Sequence, residues 1–265
     1  MIKTVRYCVI VAMFLAVIGC KEELIGGMKL EEAFVPNVAE FVDAVLDSDY
    51  NRADKLLHDG VDINAVGKEG ITPFLWLLAE EHAKDLEAIE YMLKKGANPN
   101  YIDPDRQVSA MYFAAGGNKP EFLELLIKYG GDVNQIGNDD KSMLMVAAEQ
   151  GRLDNIKTLL EYGAKMEYQN RLRHTAATMC ITPGRFDLVV YLLEHGFSTD
   201  LQGLGMLSET VIVDTEMQPY KEQTIDILRS KGVKFPASGR LKRYLEKHPA
   251  SESEVWDMVY GRVQY

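Results

Sequence analysis

The chain has 265 residues, 47% hydrophobic and 26% charged, enough apolar material for a sizeable core and for one or two ordinary domains. Its formal net charge of −11 argues against nucleic acid or anionic lipid headgroups as general partners of the folded part, although a local basic patch is compatible with it. The three cysteines, Cys8, Cys20 and Cys180, show neither a pairing pattern nor a CxxC motif.

The chain opens with a short positive region, Lys3 and Arg6, followed by an uncharged apolar run of twelve residues from Tyr7 to Ile18 and then small residues. This is the three-part layout of a secretory signal, too short to span a bilayer comfortably. Val17-Ile18-Gly19-Cys20 resembles the lipobox of bacterial lipoproteins. That resemblance implies lipidation of the Cys20 thiol, removal of residues 1–19 as a lipoprotein signal peptide, and an anchor of two or three acyl chains. Lys21 in place of Asp after the cysteine implies the outer membrane, with the protein facing the periplasm. The alternative is an ordinary secretory signal with a chance cysteine. On the lipoprotein reading Cys180 is the only free thiol of the mature chain. Residues 20–35, including "KEELIGGMKL", read as a lipidated flexible tether.

From there a repeat takes over. "LLHDGVDIN", "MLKKGANPN", "LIKYGGDVN", "LLEYGAKME", "LLEHGFSTD" and "LRSKGVKFP" align on Gly60, Gly96, Gly130, Gly163, Gly196 and Gly232, spaced by 36, 34, 33, 33 and 36 residues. Upstream lie four helix starts, "TPFLWLLAE", "SAMYFAAGG", "SMLMVAAEQ" and "TAATMCITP", with Thr72, Ser109, Ser142 and Thr175 placed to cap the first helix of each unit. Alanines such as Ala114, Ala115, Ala147 and Ala148 allow close helix approach, the "LL" pairs form the buried stripe of the second helix, and each glycine follows that helix where a left-handed conformation is needed. The pattern resembles the ankyrin repeat, with its period of 33 and TPLHxAA start. The resemblance implies an all-α solenoid of about six helix-turn-helix units with hairpin loops over 36–236, and a C-terminal helical cap over 237–265.

There are departures from that pattern. Leu75, Tyr112, Met145 and Thr178 stand where the consensus has His, which implies an altered polar network between units. Units two and six are three residues longer, and the sixth lacks a clean start, so an irregular cap is expected there.

Catalytic signals are missing from the sequence. His58, His82, His174, His195 and His248 are scattered, and there is no HExxH, GxSxG, P-loop or GxGxxG fingerprint. "DVNQIGNDDKSM" fails as a calcium loop because Ile136 and Met143 occupy ligand positions. The reading is therefore a non-enzyme without cofactor or metal, with Cys180 as a buried small hydrophobe.

What remains is surface. The ankyrin resemblance places partner contacts at hairpin tips and first-helix ends: Lys68, Glu69, Ile71, Glu80 and Glu81; Asp105 and Arg106; Asn138, Asp139, Lys141, Glu149 and Gln150; Arg171 and His174. Trp76, Tyr112 and Phe113 on the first helices are candidate aromatic anchors, with core as the other reading for Trp76 and Phe113. The lipobox and the stretch from "KEGITPFLWLLAE" to "KYGGDVN" together resemble enterobacterial lipoproteins that protect against phospholipase effectors of type VI secretion. That resemblance implies an immunity protein, a serine phospholipase toxin as protein partner, a membrane contact through the acyl anchor, and no nucleic acid. A scaffold that docks envelope proteins at the membrane is the other reading.

Overall fold

The structure is a computed structural model and describes residues 28–79 and 86–265. Cys20 and the signal segment lie outside the described residues, as do Glu80 and Glu81. The described residues form two compact units, 28–111 with 124–132 and 112–123 with 133–265.

The first unit begins with a short turn of helix, α1 (Leu30–Ala33), and the longer α2 (Pro36–Leu46). Pro36 sits at the first turn of α2, where its fixed φ suits the helix and no amide hydrogen is missed. Val38, Ala39, Phe41, Val42, Ala44 and Val45 are buried along α2. It packs on α1, on α3 (Tyr50–His58) and on α4 (Pro73–Ala79), and α4 packs in turn on α5 (Leu86–Lys94). The Asp49 carboxylate caps α3 by accepting from the Arg52 amide at 3.1 Å, and Thr72 Oγ1 caps α4 by accepting from the Leu75 amide at 3.2 Å. Next come α6 (Ala110–Gly116) and α7 (Pro120–Lys128), each of which contributes residues to both units.

The second unit continues with α8 (Met143–Glu149), α9 (Leu153–Glu161), α10 (Ala176–Ile181), α11 (Phe186–Glu194), α12 (Leu201–Thr210) and α13 (Gln218–Ser230). First helices stack on first helices, α8 on α10 and α10 on α12, and second on second, α11 on α13. A seven-residue helix such as α8 is well below the 12–15 residues at which an isolated helix becomes even marginal in water. Burial supplies what local propensity lacks: Met143 to Ala148 are all buried, and each fully buried large apolar side chain is worth about 1.5–3 kcal/mol. Ser142 Oγ and Thr175 Oγ1 cap α8 and α10 by accepting from the Met145 and Thr178 amides.

Each helix pair ends on its repeat glycine, and all six glycines have positive φ, from 85° to 105°. At Gly130, φ is 89° and a Cβ would meet nothing within 4 Å, so the requirement there is purely conformational.

Between pairs the chain makes a minimal hairpin. In the fourth repeat it consists of β1 (Ile136–Gly137) and β2 (Lys141–Ser142), antiparallel around a 3₁₀ turn at Asn138–Asp140; the third repeat has only an Ile102–Ser109 bridge. The sixth repeat departs from expectation. It is a complete helix pair rather than an irregular cap, and the hairpin is what it lacks: α12 starts at Leu201, just after the glycine turn, because the Asp200 carboxylate accepts from the Gly203 amide at 3.2 Å.

Two further helices, α14 (Gly239–Lys247) and α15 (Glu252–Tyr260), follow the repeats. Leu241 of α14 and Val259 of α15 bury against Ile225 of α13, with Phe235, Tyr244, Trp256 and Tyr265 packed around them, so the tail closes the apolar end of the second unit.

Candidate protein-binding surface

The tips of the hairpins are braced by polar side chains. In the first unit Asp103 is fully buried, and its Oδ1 accepts from the amides of Asp105 (2.9 Å) and Arg106 (2.8 Å). The Arg106 guanidinium donates to Asp103 Oδ2 at 3.1 Å and reaches the preceding hairpin, donating to the Glu69 carbonyl at 3.0 Å and its carboxylate at 2.6 Å. Tyr101 adds a hydroxyl bond to the Gly70 carbonyl at 2.7 Å. Glu69 itself has φ of 53° and is held there by these contacts, while Lys68, Glu69 and Asp105 remain exposed.

The second unit repeats the device with different residues. Asp140 accepts from Tyr168 Oη at 2.9 Å and from the Arg171 amide and Nε at 2.9 and 3.2 Å. The backbone amide of Arg171, followed by the Tyr168 hydroxyl, holds the Asp140 carboxyl below its ordinary value. Asn170 is buried and accepts from the amides of Leu172 and His174, and Arg173 donates to Asp200 at 3.0 Å. Around this framework Asn138, Asp139, His174 and Gln150 are exposed, Arg171 is exposed while holding Asp140, and Leu172 leaves 70% of its surface in solvent. Lys141 is nearly covered and pairs with Glu149 at 2.8 Å. Partial burial opposes its charge, yet the Glu149 carboxylate, with Asp139 and Tyr112 adding to it, holds its pKa above the ordinary lysine value.

Two sequence-derived candidates are corrected by burial. Ile71 is 1% exposed and Trp76 is 3% exposed, with the indole edge-on to Phe34 at 5.8 Å. Both belong to the core of the first unit: Trp76 lies on α4, which is buried almost throughout, and Ile71 lies just before it. Tyr112 and Phe113 are half-buried, their rings 6.1 Å apart, and keep some surface on α6.

Another set of residues escaped the sequence reading. Four positions after the first four repeat glycines a polar side chain ties its hairpin to the next repeat. Asn64 donates to the Gly96 carbonyl and accepts from the Asn98 amide; Asn100 does the same with Gly130 and Asp132, and Asn134 with Gly163 and Lys165. Glu167 takes the role in the fifth repeat by accepting from the Ser198 and Thr199 amides, each at 2.8 Å. The constant offset of four residues is visible in the sequence and is the signal that would have found them. A second missed feature is an open cleft of about 510 Å³ in the second unit, where Ile212, Asp214 and Glu216 of the long α12–α13 loop face Arg185 and Asp187.

Within each unit, helix pairs joined by braced hairpins, closed by two helices at the end of the second, define the class: an all-α ankyrin-repeat fold with a C-terminal helical cap, a module of protein–protein interaction. The family profile described as ankyrin repeats (3 copies) matches residues 75–170. Among curated proteins, ankyrin repeat and SOCS box protein 6 of Mus musculus is 32% identical over 111 residues, 41% of this chain and 26% of its own length. Ankyrin repeat and SOCS box protein 14 of Mus musculus is 28% identical over 155 residues, 55% of this chain and again 26% of the relative. Alpha-latroinsectotoxin-Lt1a of Latrodectus tredecimguttatus is 26% identical over 140 residues, covering 52% of this chain and 10% of the toxin. The chain thus spans about a quarter or less of the length of these relatives.

Proposed function

We propose that this chain is a lipid-anchored periplasmic protein-binding module of the outer membrane, an immunity protein that binds and inhibits a type VI secretion phospholipase effector. The observation that carries the binding role is the bracing of the hairpin tips within each unit. Buried Asp103 and Asn170 fix the turns from inside, while Glu69 and Asp105 in one unit and Arg171 and Leu172 in the other remain exposed. A surface ordered before association gives up little loop and side-chain entropy on binding.

Support for the anchor is the lipobox-like Val17 to Cys20, and support for the toxin class is the resemblance to immunity lipoproteins. An acyl anchor would hold the inhibitor at the surface a phospholipase must attack, which raises effective concentration without any new contact. Inhibition is by coverage: the array occupies the entrance to the lipase active site.

The test is co-purification of the tagged chain with the products of neighbouring genes, followed by a lipase assay on whatever is captured. A serine phospholipase that loses activity in the complex supports the reading. A captured lipase that keeps full activity overturns inhibition, and capture of envelope proteins without any lipase replaces it with the scaffold reading.

A further inference from the structure

One stretch of the surface has the opposite sign to the chain as a whole. Residues 229–247 carry Arg229, Lys231, Lys234, Arg240, Lys242, Arg243 and Lys247 against one acid, Glu246, in a chain of net charge −11. All seven cations are exposed, and among the described residues none forms an ion pair with an Asp or Glu side chain, while Arg240 donates to the Tyr265 main-chain oxygen at 3.2 Å. Elsewhere pairing is common, as at Arg52, Arg106, Arg185 and Arg262.

Four of the cations lie on α14, an amphipathic helix held down by Leu241, which is fully buried with Tyr244 and Leu245 packed beside it. Arg240 lies over the Tyr265 ring at 5.3 Å and Arg229 over the Trp256 ring at 4.4 Å, so half-buried aromatic rings border the charges. Acids on neighbouring elements are engaged: buried Glu209 with the Ala237 and Ser238 amides, Asp257 and Glu222 with Arg262, Asp226 with Tyr260, and Glu254 with the cap of α15.

We propose that this surface docks on anionic phospholipid headgroups, with α14 lying along the plane of a bilayer. Charge complementarity is the first reason: clusters of four or more Lys/Arg on an amphipathic helix bind anionic lipid surfaces. The aromatic border is the second, since Trp and Tyr favour the headgroup layer. The third is geometric. Nine residues of helix span about 14 Å, so a polynucleotide would run on past α14 on a chain whose net charge is −11, whereas a planar bilayer meets only the side turned toward it. The contact depends neither on acylation of Cys20 nor on the identity of any toxin.

The experiment uses the full chain carrying Cys20→Ser, sedimented with vesicles of phosphatidylcholine alone and of phosphatidylcholine with phosphatidylglycerol. The expected result is a preference for the anionic vesicles that weakens with salt. The triple variant Lys242→Gln, Arg243→Gln, Lys247→Gln is compared in the same background, which cancels the contribution of residues 1–27. It should lose about 100-fold in partition, about fivefold per cation. Glu246→Gln should strengthen binding, and supplies an independent reading if the triple variant melts early. Equal partition to both vesicle types, or a triple variant that binds as the parent does, overturns the proposal. So does charge-dependent capture of an acidic protein or a nucleic acid without any vesicle binding, which would assign the surface to that partner.

Discussion

Two asparagines show how burial sets the worth of a polar side chain. Asn100 makes its cross-hairpin bonds, both at 2.7 Å, in an exposed setting where water can replace them. Asn100→Ala should therefore cost only about 1 kcal/mol, read as a lower urea midpoint at unchanged slope. Asn155 on α9 is 1% exposed, and its amide donates to the carbonyls of Ala114, Ala115 and Gly117 at 3.0, 2.9 and 3.0 Å at the end of α6, where Ala114 also accepts from the Gly117 amide. Removing it leaves buried acceptors without donors, so Asn155→Ala should cost about 3 kcal/mol in the same measurement. Gly130→Ala introduces no clash, and its cost of about 1 kcal/mol would come from the left-handed backbone alone.

At the level of elements, two groups make stability depend on pH, with the same sign in different windows. Asp140 braces the hairpin between the fourth and fifth repeats as a carboxylate, with its pKa held below 3.8. Its contribution is complete above that value and is lost as pH falls through the lowered one. The protection factor of the Arg171 amide against hydrogen exchange should fall in acid for the native chain and already be low at neutral pH in Asp140→Ala. Lys221 on α13 is 1% exposed, and its ammonium donates to the Val211 carbonyl at 2.6 Å, fastening the α12–α13 loop. Burial pushes its pKa down to about 8, whereas the unfolded chain titrates at 10.5. Between those values the unfolded state binds more protons, so this group makes stability rise with pH. The native protein should gain on Lys221→Met steadily between pH 8 and 10.5 in paired denaturation curves; parallel curves would show that Lys221 is not the cause.

For the whole molecule, the decisive quantities are its charge and its proposed anchor. The net charge of −11 conceals a basic stretch at residues 229–247, so averages over the chain misjudge what its surface can meet. Cys20→Ser should release the protein from cell membranes in fractionation at moderate salt while leaving its circular dichroism unchanged. Full retention in washes that also disrupt ionic contacts would mean that the lipobox reading fails.

The repeat spacing, the caps at Thr72, Ser142 and Thr175 and the positive-φ glycines could all be read in advance, because each is a local demand of backbone geometry satisfied within a few residues. The tertiary structure decided what depends on neighbours. Trp76 became core because Phe34 and α2 cover α4, and the sixth repeat gained a full helix pair because Asp200 caps α12 where a hairpin was due. Asn64, Asn100 and Asn134 became ties between repeats because stacking brings residues some thirty positions apart within hydrogen-bond distance. Periodicity in a sequence fixes which face of each helix seeks burial, but which side chain ends up covered, and by what, is settled only when the next repeat is laid against it.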